Sequence, residues 1–191
     1  MVMLKCGMHE VNITPSLGNW IPGQFEERHS TGVKDDLFAK SLVIETDSDV
    51  MAFIALDALD IAREQVMEIR NRVAAYTTIP ADNVMVSATH IHTGGPVIPG
   101  LAGSVNSNYL QDLVEKAADA AIIAYQSRTG ARVGFGRGHE PDIAFNRRFF
   151  MKDGSVETNP GIGNPDIDRP TGPIDPDVLV IRIDDIAGNP I

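Results

Sequence analysis

Only one cysteine, Cys6, occurs in the 191 residues. An intrachain disulfide and a four-cysteine zinc site are therefore impossible, and nothing calls for an oxidising compartment. Aromatic residues make up 6% of the chain, and Lys plus Arg number 16 against 26 Asp plus Glu, a net charge of -10. So acidic a chain, with no basic run, is poorly suited to bind nucleic acid or an anionic membrane surface. No apolar stretch approaches the ~18 residues that a membrane span needs. The N-terminal MVMLKCGMHEVN lacks the apolar core of a secretory signal. A cytoplasmic location is expected, or a secreted one if a leader has been removed.

What is present is an ordinary apolar fraction, 43%, beside 22% charged residues, a balance that argues against disorder. The length suits one domain over 1–191, on the prior of ~100–200 residues per domain, and can bury a core without staples. Residues Leu4 to Ile13 carry β-formers and stop at Thr14-Pro15; 37–46 and Val50 to Leu56 read as strands joined by Asp47-Ser48-Asp49. Between them, 16–36 is rich in Gly, Pro and charge and reads as a long, functional loop. Val66, Ile69, Val73 and Tyr76 share a helix face, VMVSA (84–88) is a buried strand, and GGPVIPG (94–100) a bend. Tyr109, Leu110, Leu113, Val114 and Ala117 predict a second helix that closes before Thr129-Gly130. Val133 to His139 alternates as a strand, 153–177 reads as a polar loop, and VLVIRI (178–183) as a strand followed by the turn Gly188-Asn189-Pro190.

This order predicts an α/β fold: a mixed sheet with a parallel βαβαβ core, flanked by helices and by antiparallel N-terminal strands. A turn signal just before Ile191 leads one to expect a further strand and a larger fold. No internal repeat is present.

The sharpest feature is SATHIHTGGP, 87–96. His90 and His92 stand two apart at the C-terminal end of a strand, which points both side chains to one face. That is where ligands sit in α/β sheets, and two neutral imidazoles there suit zinc. Gly94 and Gly95 would let backbone approach a substrate closely. The spacing alone fits two exposed or hydrogen-bonded loop histidines equally well. A metallo-β-lactamase pattern fails because Gly94 stands where an Asp is required. An amidohydrolase barrel would carry the pair on its first strand and needs roughly 250 residues.

A series of motifs runs in order along most of the chain: CGMHEVNITP (6–15), GVKDDLFAKSLVIET (32–46), MAFIALDALD (51–60), NVMVSATHIHTGGP (83–96), FNRR (145–148), Asn159-Pro160 and PIDPDVLVIRIDDIAGNPI (173–191). Together they resemble the N-terminal catalytic domain of neutral, non-lysosomal ceramidases and their relatives. The Ser-x-Thr-His-x-His-(Ser/Thr)-Gly element is the most specific. The resemblance implies that the chain is the N-terminal part of a longer ceramidase-like catalytic domain. It also implies a Zn2+ cofactor and hydrolysis of an amide bond in a small or lipid-like N-acyl substrate. By the same resemblance His90 is a zinc ligand, and His92 lies beside the metal, holding the substrate carbonyl or the attacking water. Arg147, or its neighbour Arg148, stands near the substrate oxygen, and Asn146 precedes it in the Asn-Arg step. The family's other ligands (a His, a Glu and a Tyr) would lie beyond Ile191. In place of the family's Gly-Ile-His step this chain has Gly32-Val33-Lys34.

Each assignment has a plainer counterpart. Arg147 in isolation fits a surface ion pair. Asp57 could accept the second N–H of a zinc-bound imidazole or simply cap a loop, as Asp60 could cap a helix. His139 beside Glu140 reads as solvent-facing, His9 and His29 lack a ligand pattern, and Cys6 reads as a small buried residue. A non-catalytic α/β domain that keeps the core without a full metal site is the alternative function. A metal-dependent phosphoesterase fits less well, since no His/Asp cluster supplies a bridged metal pair.

Overall fold

The computed structural model describes residues 4–99 and 104–191. Met1 to Met3 of the N-terminal segment and Gly100, at the end of the Gly/Pro bend, lie outside them. The chain packs as two compact units, one running up to Arg132 and including Ile183–Ile191, the other Val133–Arg182.

The first unit is built on β1 (Lys5–Asn12), β2 (Phe38–Glu45), β3 (Val50–Leu56) and β4 (Val84–Ala88). β1, β2 and β3 form an antiparallel meander, and β4 lies parallel to β3 in register from Ala52↔Val84 to Leu56↔Ala88. Helix α1 (Arg63–Tyr76) makes that parallel crossover, and α2 (Ser107–Gln126) follows β4. Strand alternation divides the sheet into two faces. Ala39, Val43, Ala52, Ile54 and Leu56 are buried in one cluster with Ile69 and Val73 of α1 and Leu113, Val114 and Ala117 of α2. The other face exposes Met8, Met51, Phe53 and Met85.

The small side chains of α2 (Ala117, Ala118, Ala120, Ala121 and Ala124, all buried) let the helix settle closely onto the sheet. Gly7 of β1 completes the fit, because a Cβ there would stand 2.1 Å from the carbonyl oxygen of Ala124. Tyr76 shares the spacing of Ile69 and Val73 but is exposed at the end of α1, where no further turn carries it back to the sheet. The residue that caps α1 is Ala62, with no side-chain bond, so Asp60 is not its cap.

The α/β class and the mixed sheet are as expected, with one correction to the βαβαβ core. The third strand, β5 (Thr129–His139), pairs antiparallel with β1, through Lys5↔Gly130 and Cys6↔Thr129, and not with β4. The six-stranded order is β4-β3-β2-β1-β5-β9, with β9 covering Asp177–Asp185. Hydrophobic period carries no information on strand direction. The meander with β4 leaves two open edges, those of β4 and β1, and β5 takes that of β1.

In the second unit, part of the polar stretch read as loop is a sheet. β6 (Arg148–Met151) pairs antiparallel with β7 (Val156–Thr158) and β8 (Ile167–Pro170). β7 and β8, which lie in that stretch, are short and mostly exposed, so they lack the apolar alternation by which strands are read from sequence. The turn between β6 and β7 uses Asp153-Gly154, with Gly154 at φ 86° and the Asp153 carboxylate accepting from the Ser155 amide at 2.9 Å. After β9, Gly188 at φ 94° turns the chain so that the Ile191 amide donates to Ile183 O at 3.0 Å.

Candidate functional site

The parallel strands β3 and β4 end side by side at Leu56↔Ala88. Their extensions stay together past the strand ends: the Thr89 amide donates to Leu56 O at 3.0 Å and the Ile91 amide to Ala58 O at 3.3 Å. His90 interrupts the extended path with φ 60°, a left-handed conformation uncommon outside glycine, though His adopts it more readily than most. The two histidines therefore do not share a face through simple strand alternation. They meet because His90 turns the backbone, which leaves both exposed imidazoles edge to face with ring centres 4.9 Å apart.

Each ring is held by a backbone carbonyl. His90 Nδ1 lies 3.0 Å from Leu59 O, and His92 Nδ1 lies 2.8 Å from Gly23 O. A carbonyl oxygen can only accept, so each Nδ1 carries the hydrogen. In the neutral ring Nε2 is then a bare lone pair. This is the form in which imidazole binds a metal or accepts a proton, and the carbonyl fixes the ring's orientation.

Gly23 and Arg28 belong to the loop between β1 and β2. Part of that loop is an antiparallel ribbon: the Gly18 amide donates to Ser30 O at 2.9 Å, Ile21 to Arg28 O at 2.8 Å, and Ser30 to Asn19 O at 2.9 Å. Trp20, buried, faces His29 across it. Arg28 Nη2 donates to the carbonyl of His92 at 3.2 Å, and Asn106 at the start of α2 donates to Asn19 Oδ1 at 2.7 Å. His29 bridges Gly18 O and the Glu27 carboxylate. The hydrogen bond to Glu27, then the one to Gly18 O, raise its pKa above the ordinary 6.5.

The other residues singled out in the sequence have these places. The Asp57 carboxylate accepts the Phe38 amide at 3.0 Å, while the Asp57 amide donates to Phe38 O, so Asp57 ties the end of β3 to the start of β2. The His90 imidazole donates to Leu59 O, and not to Asp57. Gly94 and Gly95 are buried, and both admit protein, not open space: a Cβ on Gly94 would stand 3.0 Å from Ala58 Cα, and one on Gly95 only 2.2 Å from the Tyr109 ring. The Tyr109 hydroxyl, whose pKa burial raises, donates to Ile13 O at 2.7 Å.

Asn146 and Arg147 belong to the second unit. Asn146 donates to Gly172 O at 3.0 Å, and its Oδ1 accepts the Arg148 amide at 3.3 Å. Arg147 is exposed, and its carbonyl accepts the Asn159 amide at 2.8 Å, which joins the Asn-Arg and Asn-Pro steps within that unit. His139 is exposed, and Cys6 is buried with its thiol pKa raised by that burial. Sequence reasoning did not find Gly23, Arg28, Leu59 or Tyr109. Backbone carbonyls leave no trace in a sequence, and the ribbon lies within the Gly- and Pro-rich stretch 16–36 that read only as a long loop.

Among the described residues, two of the concavities lie in the first unit. The larger, about 500 Å³, is on the bare sheet face among Met8, Leu42, Phe53 and Met85. It holds none of the predicted chemistry. The other, about 380 Å³, is lined by Trp20, Asp36, Asp57, Ile91, Thr93 and Gly94 among others. It thus takes up the residues that alternate with the two histidines. Among the described residues no group of three or more His, Cys, Asp or Glu could hold a metal ion, and no helix is long and apolar enough to cross a membrane. The two bare Nε2 atoms fit zinc in kind, but they supply fewer than the three or four protein ligands zinc takes.

No family model matches the chain, and no curated protein does. Solved structures do. A crystal structure of neutral ceramidase from Pseudomonas aeruginosa superposes with a TM-score of 0.71 at 20% identity, covering 100% of this chain and 31% of that one. A ceramidase complexed with C2 superposes equally, with TM-score 0.71 and 20% identity, over 100% of this chain and 30% of that one. This chain thus has the fold of part of a ceramidase and spans about a third of those proteins.

Proposed function

We propose that this ceramidase-like fold carries the histidine motif of a zinc-dependent hydrolase. Its reaction is cleavage of an amide bond in a small or lipid-like N-acyl substrate of the ceramide kind. The supporting observation is the pair of Nδ1–H···O=C bonds, from His90 to Leu59 O and from His92 to Gly23 O, which leave the Nε2 of each of two neighbouring rings as a lone pair. In this reading His90 Nε2 is a ligand. Zinc bound there would supply Lewis-acid activation of water and of the scissile carbonyl.

The remaining work falls to side chains. His92, with Nδ1–H engaged, offers Nε2 to take a proton from the attacking water and, once protonated, to donate it to the developing oxyanion or the departing amine. Arg147 is assigned to the oxyanion on the strength of its place in the Asn-Arg step. Asp57 and Asn146 act by holding backbone in place, through Phe38 and through Gly172 and Arg148.

A second reading, an α/β domain of this fold without a working metal centre, is favoured by one observation: no cluster of three metal-binding side chains exists among the described residues. Metal analysis of the full-length protein separates the two, together with release of fatty acid from a ceramide. The first reading expects near-stoichiometric zinc that His90→Ala removes along with hydrolysis. Zinc content unchanged by His90→Ala would sink it. A wild-type protein free of zinc and inactive after zinc is supplied would establish the second.

A further inference from the structure

We propose that the ribbon of residues 19–30 sets the chemical form of His92, with Gly23 and Arg28 as its positioning residues. This rests on the reading above, in which His92 Nε2 meets the reacting atoms. His92 is held from both ends by a segment more than sixty residues away in the chain. Gly23 O takes the ring's Nδ1–H at 2.8 Å, and the Arg28 guanidinium donates to the backbone carbonyl at 3.2 Å. The first contact selects the tautomer, because only an Nδ1–H ring can meet a carbonyl there. The second stops the His92 peptide from rotating away from that carbonyl.

The shape of Gly23 makes the contact possible. Its φ of 91° turns the carbonyl toward the imidazole, and a Cβ would stand 2.7 Å from His92 Nδ1 and 2.9 Å from Cγ. Any side chain at position 23 therefore meets the ring at the atom whose protonation matters. The ribbon is itself anchored, through the hydrogen bond from Asn106 at the start of α2 to Asn19 and through the burial of Trp20. The position of His92 is thus tied to the body of the unit and not left to its own exposed turn.

Gly18 supplies an internal control. It lies at the end of the same ribbon with φ 83°, and nothing would stand within 4 Å of its Cβ. Gly18→Ala and Gly23→Ala carry the same left-handed backbone penalty, but only Gly23→Ala strikes His92. The experiment is a long-range 1H–15N correlation spectrum of the imidazoles in the full protein. It reports the tautomer of His92 directly and needs neither metal nor activity. Wild type and Gly18→Ala should show His92 with hydrogen on Nδ1. Gly23→Ala should shift it toward Nε2–H, and Arg28→Gln should do so partly, with Arg28→Lys restoring some of the wild-type signal.

Hydrolysis should fall about 10–100-fold in Gly23→Ala, the usual cost of removing an imidazole's orienting partner, with the loss in kcat rather than KM. A wild-type His92 bearing its hydrogen on Nε2 would overturn the proposal, whether or not any variant folds. So would an unchanged tautomer in folded Gly23→Ala. A tautomer that responds as described in a protein with no amide hydrolysis would uphold the positioning role and remove the proposed reaction instead.

Discussion

Gly95→Ala is the substitution for which the structure makes its most quantitative demand. Gly95 is buried and does not occupy the left-handed region. Alanine there would ordinarily be stabilising by about 0.4–1 kcal/mol through the unfolded chain. The added Cβ, however, would lie 2.2 Å from Tyr109 Cε1, 2.3 Å from Cζ and 2.5 Å from the hydroxyl oxygen. Ordinary carbon contacts are ~3.5–4.0 Å, so the ring must retreat by roughly 1 Å or more. It has little room, because Tyr109 is 8% exposed and its hydroxyl is bonded at 2.7 Å to the carbonyl of the fully buried Ile13. Overpacking costs about 1–3 kcal/mol, and leaving Ile13 O unsatisfied a further ~1–3 kcal/mol. Less the gain through the unfolded chain, the expected destabilisation is about 1–5 kcal/mol, a large share of the ~5–15 kcal/mol that holds a domain together.

Urea unfolding is the assay, read as a lower midpoint at unchanged slope. Tyr109→Phe isolates the hydrogen bond at about 1–3 kcal/mol. In a Tyr109→Leu background the same glycine substitution should cost at least ~1 kcal/mol less, since contacting residues couple. A Gly95→Ala protein within about 0.5 kcal/mol of wild type would refute the reasoning. The motif's second glycine would then be free for some role other than admitting Tyr109.

Asn106 accepts the Tyr109 amide at 3.1 Å as the N-cap of α2, so Asn106→Ala should cost about 0.5–2 kcal/mol; thermal unfolding checks it, and no loss would mean the cap is dispensable. Leu113, fully buried between α2 and the sheet, should cost about 2–5 kcal/mol when cut to alanine, measured by urea unfolding, and a loss under ~1 kcal/mol would contradict the packing. His29 should titrate above its ordinary 6.5 because the Glu27 carboxylate and Gly18 O both favour its protonated form. Its folded-state pKa is raised, so its contribution to the ribbon is complete below the unfolded value and disappears as pH rises through the folded one. An NMR titration should show this, with Glu27→Gln moving the value back down; a wild-type value at or below 6.5 would be the contrary result.

The amino-acid order alone determined the elements whose signals are local. Strands β3 and β4 fall on Val50–Leu56 and Val84–Ala88, as the apolar runs between turn residues predict. Both helices, the Asp153-Gly154 turn and the place of His90 and His92 at the end of β4 were equally legible, because period and turn chemistry act over a few residues. What only the tertiary structure decided is everything that depends on a distant partner. Strand β5 takes the open edge of β1 and not a place beside β4, and exposed strands 156–158 and 167–170 pair through backbone bonds that no side-chain pattern reports. The tautomers of the two histidines belong to the same class. They are set by the carbonyls of Gly23 and Leu59, and a peptide carbonyl is present at every residue, so only its position in space distinguishes the one that matters.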